Sequence, residues 1–259
     1  VICGLRNGSI IIFDLETGKE VQQLLGHEDR VGCLALSRSE TILASGSWDE
    51  TAILWNMNSY EQLFLLQVKS PVAALDFSID GQRLFTGSDD GYLSSFAATG
   101  SRELLNRTRA HDSSVDSLCA TTDGQFVVTA SSLDKSIKLW KADTLDIEAT
   151  LVGHTYGVMC VVATDKDIPM LVSASEDGII KIWDLKTYQE IRTLKGHEGW
   201  VNSVAVSDDQ KHIISGGHDR IVMLWCFHTG KLISCFESHT DYISCVTILS
   251  DGSRAVSAS

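Results

Sequence analysis

Four kinds of side chain recur together along this chain of 259 residues, and three of them are the types that a serine hydrolase uses. Each set holds a histidine, a serine or threonine, an aspartate and a tryptophan, in that order. In a serine hydrolase, a histidine activates a hydroxyl nucleophile and an aspartate orients that histidine. The sets are His27, Ser45, Asp49 and Trp55; His111, Thr129, Asp134 and Trp140; His154, Ser173, Asp177 and Trp183; and His197, Ser215, Asp219 and Trp225.

The repetition of these sets argues against catalysis. A nucleophile needs one exposed hydroxyl beside its base and an oxyanion hole, whereas the chain offers four copies and replaces serine by threonine in one. The hydroxyl also falls within a segment that reads as a buried strand. We therefore interpret each set as a structural network, in which aspartate accepts from histidine and the hydroxyl contacts both the imidazole and the indole N–H. We predict that the chain is not an enzyme.

Other motifs for catalysis or cofactor binding are absent from the sequence. It contains no Walker loop, no dinucleotide fingerprint, no His-Glu-x-x-His motif and no nucleophile elbow. Seven cysteines without a Cys-x-x-Cys pair argue against a zinc site and a complete disulfide framework. We expect no cofactor and no metal. Four cysteines recur in apolar strands six to eight residues after a marker histidine, and we interpret them as small buried hydrophobic residues in a reducing compartment: Cys33, Cys119, Cys160 and Cys245.

The elements that position these residues repeat at a fixed period, which is typical of repeat architectures. An aromatic residue closes one strand of each unit, and consecutive members lie 41 to 44 residues apart: Phe13, Trp55, Phe96, Trp140, Trp183 and Trp225. A second marker keeps the same period, with one member missing near Val68 and Lys69: His27, His111, His154, His197 and His239. Two markers with one period indicate a true repeat.

Each unit is predicted to contain four short strands. Apolar runs rich in Val, Ile and Leu are separated by turn residues, and helical periodicity is almost absent. In the unit that begins at Gly196, the expected strands are 201–206, 212–215, 221–225 and 232–236. The pattern favours an all-β protein.

The residues Gly-His, then Ser-x-x-x-Asp, then Trp183-Asp184 resemble the WD40-repeat family, and the resemblance covers essentially the whole chain. It implies a β-propeller of four-stranded antiparallel blades around a central channel, in a single domain over residues 1–259. It also implies a structural tetrad of the kind interpreted above. The opening unit departs from the pattern with Cys3, Asn7 and Phe13, and the third unit departs with Thr86, Asp90 and Phe96 and no histidine. We expect these two blades to be less stable.

Counting strands predicts five complete blades and a partial blade at each end. The repeats are expected at 26–67, 68–108, 109–151, 152–195 and 196–237, with partial blades at 1–25 and 238–259. This arrangement is typical of a segment from a propeller of seven or more blades. A six-bladed closure, in which residues 242–250 supply the first strand of the opening blade, stays open.

The residues beside the histidine and aspartate turns are predicted to bind a partner at the channel mouth. Large aromatic residues and arginine at exposed, rigid positions are frequent anchors of interfaces. The candidates are Arg6, Arg30, Trp48, Leu133, Tyr156, Glu176, Trp200, His218 and Tyr242. Acidic neighbours such as Glu28, Asp29, Glu198 and Asp241 predict a partner with basic character.

Composition limits the remaining functions. A net charge of −13 without a basic cluster argues against nucleic-acid binding, and no apolar run approaches the roughly 20 residues of a membrane span. We expect a scaffold or sensor domain of a larger cytoplasmic protein that binds a protein, a peptide or another domain of the same polypeptide; a nuclear location stays open. The alternatives are an assembly module of a coat or trafficking complex and, less favoured, a hydrolase that uses the channel.

Overall fold

A computed structural model describes residues 1–164, 169–249 and 252–259, and every regular element within these ranges is a β-strand. The chain forms two compact units. Unit 1 comprises residues 1–120 and 142–145, and unit 2 comprises residues 121–141 and 146–259. No helix of the described part is long and apolar enough to cross a membrane.

Unit 1 contains three antiparallel sheets, of strand order β1-β2-β3, β4-β5-β6-β7 and β8-β9-β10-β11, together with β12. Its strands are β1 (Ile2–Gly4), β2 (Ile10–Phe13), β3 (Glu20–Leu24), β4 (Val31–Leu36), β5 (Ile42–Ser47), β6 (Thr51–Asn56), β7 (Gln62–Gln67), β8 (Val72–Phe77), β9 (Arg83–Ser88), β10 (Tyr92–Ala97), β11 (Leu104–Arg109) and β12 (Ser117–Ala120).

Unit 2 continues the same plan, with sheets of order β13-β14-β15, β16-β17-β18-β19, β20-β21-β22-β23 and β24-β25. Its strands are β13 (Phe126–Ala130), β14 (Ile137–Lys141), β15 (Ile147–Leu151), β16 (Val158–Ala163), β17 (Met170–Ser175), β18 (Ile179–Asp184), β19 (Gln189–Lys195), β20 (Val201–Val206), β21 (His212–Gly217), β22 (Val222–Cys226), β23 (Leu232–Phe236), β24 (Cys245–Ile248) and β25 (Ala255–Ala258).

The predicted fold class is confirmed: the chain is all-β, its complete sheets are four-stranded and antiparallel, and partial sheets lie at both ends. The first sheet has three strands and the last has two. The segment 242–250, which could have supplied the first strand of the opening blade, contains β24, and β24 pairs with β25. Ser250 lies outside the described residues. The single domain and the closure of its ring stay predictions.

A register shift recurs beside the marker aromatic residue. In every pairing of a third strand with a fourth strand, the register slips by one residue immediately before that side chain, as at Leu54/Trp55 and Ile182/Trp183. Such a bulge re-aims the following side chain, and the indole is buried in both cases. The glycine before the histidine makes room for the same ring, because a Cβ at Gly153 would lie 2.9 Å from Cη2 of Trp183.

Neighbouring sheets are joined through their first strands. In unit 1 the Cys33 thiol donates to the Val72 carbonyl, with Sγ and O 3.6 Å apart. In unit 2 the backbone N–H of Val246 donates to Ser203 Oγ over 3.1 Å. Burial raises the pKa of Cys33 to about 12, so this thiol stays protonated. Among the described residues no cysteine forms a disulfide, and Cys245 is exposed, contrary to the expectation of burial.

Candidate functional site

The first histidine set forms a continuous hydrogen-bonded network in unit 1. His27 Nδ1 lies 2.8 Å from Asp49 Oδ2, and Nε2 lies 2.8 Å from Ser45 Oγ. The Trp55 indole donates to the same Ser45 Oγ over 2.8 Å. Strand β5 carries the hydroxyl, the turn between β5 and β6 carries the carboxylate, and β6 carries the indole.

Two sets of unit 2 repeat this geometry. The distances from Nδ1 to the carboxylate and from Nε2 to the hydroxyl are 3.0 and 2.8 Å around His154. The corresponding distances around His197 are both 2.7 Å. The indoles of Trp183 and Trp225 donate to Ser173 and Ser215 over 2.8 Å. In the remaining set, Trp140 donates to Thr129 Oγ1 over 2.9 Å within unit 2, and His111 lies buried in unit 1.

In two of these sets, at Asp49 and at Asp177, hydrogen bonds outweigh the effect of burial and lower the pKa of the carboxylate. Although burial raises it, hydrogen bonds from His154 and from the Thr155 N–H hold the pKa of Asp177 down at about 2. Burial lowers the pKa of His197 and outweighs the opposing effect of Asp219. The hydroxyls of Ser45, Ser173 and Ser215 have no accessible surface. In each of the three sets both imidazole nitrogens lie within hydrogen-bond distance of a partner and the serine hydroxyl is buried.

Sequence reasoning missed a further partner of the carboxylate. Thr51, two residues after Asp49, donates to it through its hydroxyl over 2.6 Å and through its N–H over 2.9 Å. Ser136 makes the matching contacts with Asp134 at 2.9 and 3.0 Å. A serine or threonine two residues after a turn aspartate is the signal that could have identified them.

The candidate recognition residues of unit 1 lie at the surface. The guanidinium carbon of Arg30 lies 5.5 Å from the centre of the Trp48 ring, and 49% of Trp48 is exposed. Such a pairing holds the indole in place while leaving it accessible. Arg6 is also exposed.

Unit 2 brings three candidates together as an aromatic stack, defined by Trp200, His218 and Tyr242. The His218 ring centre lies 4.7 Å from that of Trp200 and 5.2 Å from that of Tyr242. All three are exposed, Trp200 by 45% and Tyr242 by 42%. The rings come from three different turns, so the sequence alone could not show that they touch.

The other candidates of unit 2 are less organised. Tyr156 is exposed and lies under the Lys135 ammonium, with Nζ 5.2 Å from the ring centre. Leu133 is exposed, whereas Glu176 is half-buried. No cluster of three or more metal-ligating side chains occurs in the part of the chain that the structure describes.

A family model of the WD domain, G-beta repeat type matches residues 18–56, 61–96, 102–141, 146–184, 188–226 and 230–259. The chain belongs to the WD40-repeat family. Relatives of similar sequence include the U5 small nuclear ribonucleoprotein 40 kDa protein of Dictyostelium discoideum, 28% identical over 69% of this chain and 50% of the relative. The pre-mRNA-splicing factor cwf17 of Schizosaccharomyces pombe is 26% identical over 77% of this chain and 58% of the relative.

A third WD40 relative bears a name from a different process. Autophagy-related protein 16 of Arabidopsis thaliana is 27% identical over 75% of this chain and 39% of that protein. The chain thus spans about half the length of these relatives. None of the three names describes an enzyme, in keeping with WD40 propellers as generally non-catalytic scaffolds.

The WD40 repeat without a histidine contains an unsatisfied hydroxyl. Thr86 occupies the tetrad hydroxyl position, is fully buried and has no hydrogen-bond partner. The carboxylate of Asp90 accepts hydrogen bonds from the Ser88 hydroxyl over 2.6 Å and from the Arg107 guanidinium over 2.9 Å instead. A buried hydroxyl without a partner costs free energy.

Replacing Thr86 with valine is therefore expected to raise the free energy of unfolding by about 1 kcal/mol, because the change keeps the shape and removes an unpaired polar atom. Ser45→Ala, at the same position of a complete WD40 tetrad, is expected to lower it by about 1–3 kcal/mol. Urea unfolding of both variants measures the two changes in the free energy of unfolding. A loss of stability in Thr86→Val contradicts the interpretation.

Proposed function

We propose that this WD40 chain is a non-catalytic scaffold or sensor that binds protein or peptide partners through the face that carries its histidine and aspartate turns. We predict this face to be the mouth of a central channel. The observation that carries the proposal is the exposed aromatic stack of Trp200, His218 and Tyr242. Rigid aromatic side chains at exposed positions are the usual anchors of binding energy.

The burial of the polar sets supports the same proposal. Because their imidazoles and hydroxyls are engaged inside the sheets, the turn residues beside them are the groups available to a partner. The names of the relatives, which refer to a small nuclear ribonucleoprotein, to splicing and to autophagy, favour a role in protein assemblies. Cysteines that form no disulfide among the described residues support the cytoplasm as the proposed location.

Charge favours a partner with basic character. Exposed carboxylates flank the proposed anchors: Glu28 and Asp29 precede Arg30, Glu198 precedes Trp200, and Asp241 precedes Tyr242. The net charge of the chain is −13. Complementary charge increases the association rate and discriminates against acidic partners.

The double variant Trp48→Ala/Trp200→Ala is expected to lose at least about 90% of the partners that the immobilised chain captures from a cell extract, because interface anchors contribute about 2 kcal/mol or more each. An arginine-rich peptide should compete for the same partners, and a glutamate-rich peptide should not.

A matched control replaces exposed apolar residues on outer strands, as in Val21→Ala/Ile147→Ala. This control should capture the same partners as the unsubstituted chain. If the folded Trp48→Ala/Trp200→Ala variant captures as much partner as the unsubstituted chain, the proposal that partners bind through this face is wrong.

A further inference from the structure

Unit 2 contains a polar pocket at the strand ends opposite to the histidine and aspartate turns. Its volume is about 310 Å³, at the lower end of the range of about 300–1,000 Å³ that is typical of ligand pockets. The lining residues come from the turn before β13, the start of β13 and the turn after β18, and they include Thr121, Asp123, Phe126, Leu185, Lys186 and Tyr188.

In unit 1 an arginine occupies the position that Phe126 has at this pocket. Arg83 begins β9 as Phe126 begins β13, and each pairs with the residue that follows the marker aromatic residue. Nη1 of Arg83 donates to the carbonyl oxygens of Ala142 and Asp143 over 2.9 and 3.2 Å, and Nη2 lies 2.9 Å from the Asp143 carboxylate. The guanidinium thus joins the start of β9 to the turn at residues 142–145.

The pocket in unit 2 has the equivalent carbonyl groups without the arginine. Leu185 and Lys186 stand two and three residues after their marker tryptophan, as Ala142 and Asp143 do. Leu185 is 4% exposed, and within residues 1–164, 169–249 and 252–259 no side chain donates to either carbonyl oxygen. Since buried carbonyl groups are generally paired, these two oxygens are candidate acceptors for a ligand.

The pocket also contains a carboxylate with one oxygen available. Oδ1 of Asp123 accepts from the Thr121 hydroxyl over 2.6 Å and from the Gln125 N–H over 2.9 Å, and these bonds hold the carboxylate in place. In the described part of the chain, Oδ2 has no partner. Lys186 stands where unit 1 has Asp143, and its charge opposes a cation. Because Lys186 is exposed, its ammonium group can stay in solvent.

We propose that this pocket binds an arginine side chain of a partner protein. The guanidinium lies against the Phe126 ring, donates to the carbonyl oxygens of Leu185 and Lys186, and pairs with Asp123. A guanidinium suits this set of groups because it is planar, stacks on aromatic faces and donates to several acceptors at once. The net charge of −13 favours the approach of such a partner.

The test uses the blocked tripeptide acetyl-Gly-Arg-Gly-amide as the probe. It is titrated into the full chain labelled with nitrogen-15, and the chemical shifts of the backbone N–H groups are recorded. We expect saturable shifts at Gln125, Leu185 and Lys186. The same peptide with citrulline in place of arginine should bind at least about tenfold more weakly, because citrulline keeps the shape but has no charge for the carboxylate to pair with.

Variants of the chain locate the binding. Asp123→Asn should weaken it, and Lys186→Asp, which gives the turn the carboxylate that unit 1 has at Asp143, should strengthen it at least about fivefold. Lys231→Asp makes the same charge change at an exposed lysine outside the pocket and should leave binding unchanged. Phe126→Arg supplies the guanidinium from the chain itself and should abolish binding. Melting curves verify that each variant is folded.

Two results would overturn the inference. One is equal binding of the arginine and citrulline peptides, or no shift at the pocket with either. The other is weaker binding in Lys186→Asp together with saturable shifts caused by acetyl-Gly-Glu-Gly-amide, which would make the pocket an anion site. The Trp48→Ala/Trp200→Ala variant should bind the arginine peptide normally, so this inference is tested independently of the proposed partner face.

Discussion

Trp183→Ala is expected to lower the free energy of unfolding by about 3–5 kcal/mol, among the largest effects of any single substitution in this chain. The indole is buried, packs against Gly153 and donates to Ser173 Oγ. Its removal leaves a large cavity and an incompletely satisfied hydroxyl. Equilibrium unfolding in urea, followed by far-UV circular dichroism, measures the loss.

Trp183→Phe separates the two contributions. Phenylalanine keeps most of the apolar contact but cannot donate to Ser173, so we expect a loss of about 1–2 kcal/mol. The chain already carries phenylalanine at the equivalent position 96, beside the unsatisfied Thr86. A Trp183→Phe variant as unstable as Trp183→Ala would show that the ring contact is not what the indole contributes.

Asp76→Asn is expected to raise the free energy of unfolding at pH 7.5 by about 2–3 kcal/mol. Burial raises the pKa of the Asp76 carboxyl to about 6, although the N–H groups of Ala120 and Phe77 donate to it. No described cationic side chain contacts it. Asparagine keeps an acceptor for the Ala120 N–H, which lies 2.9 Å away and joins β8 to β12, and it carries no charge.

The pH dependence has a definite sign. Because the folded carboxyl binds its proton more tightly than an ordinary carboxyl of pKa 3.8, its contribution to stability is full below about pH 4 and is lost as the pH rises through 6. The Asp76→Asn advantage should therefore appear between these values and vanish below them. Stability curves at several pH values check this.

A second aspartate serves as the control of opposite sign. Hydrogen bonds from the Ser78 hydroxyl and the Gln82 N–H lower the pKa of Asp80 in an exposed turn. Asp80→Asn should thus reduce stability at neutral pH. A parallel, pH-independent effect of Asp76→Asn and Asp80→Asn would contradict the account of Asp76.

The strand plan was predictable because it rests on local pattern. Alternating apolar residues, turn glycines and a marker aromatic residue define each repeat, and the observed strands of the repeat at 196–237 match the expected ones closely. The bulge before Trp225 was not predictable, because it depends on the pairing of two strands.

Contacts between sheets were beyond sequence reasoning for the same reason. Trp200, His218 and Tyr242 were each identified as exposed turn residues, but their stacking depends on three separate turns. Asp76 was overlooked because its strand reads as an ordinary apolar run. A carboxylate in a strand-length apolar segment is the signal that should direct attention to such a residue.

A double-mutant cycle between Ser215 and Trp225 tests the central claim most directly, namely that the recurring polar side chains satisfy one another inside the sheets. Unfolding free energies are measured for Ser215→Ala, Trp225→Phe and the double variant. The account predicts that the double variant loses about 1 kcal/mol less stability than the sum of the losses of the single variants. Either change alone leaves the other group of the 2.8 Å hydrogen bond between Trp225 and Ser215 without this partner. Strict additivity of the two losses would contradict it.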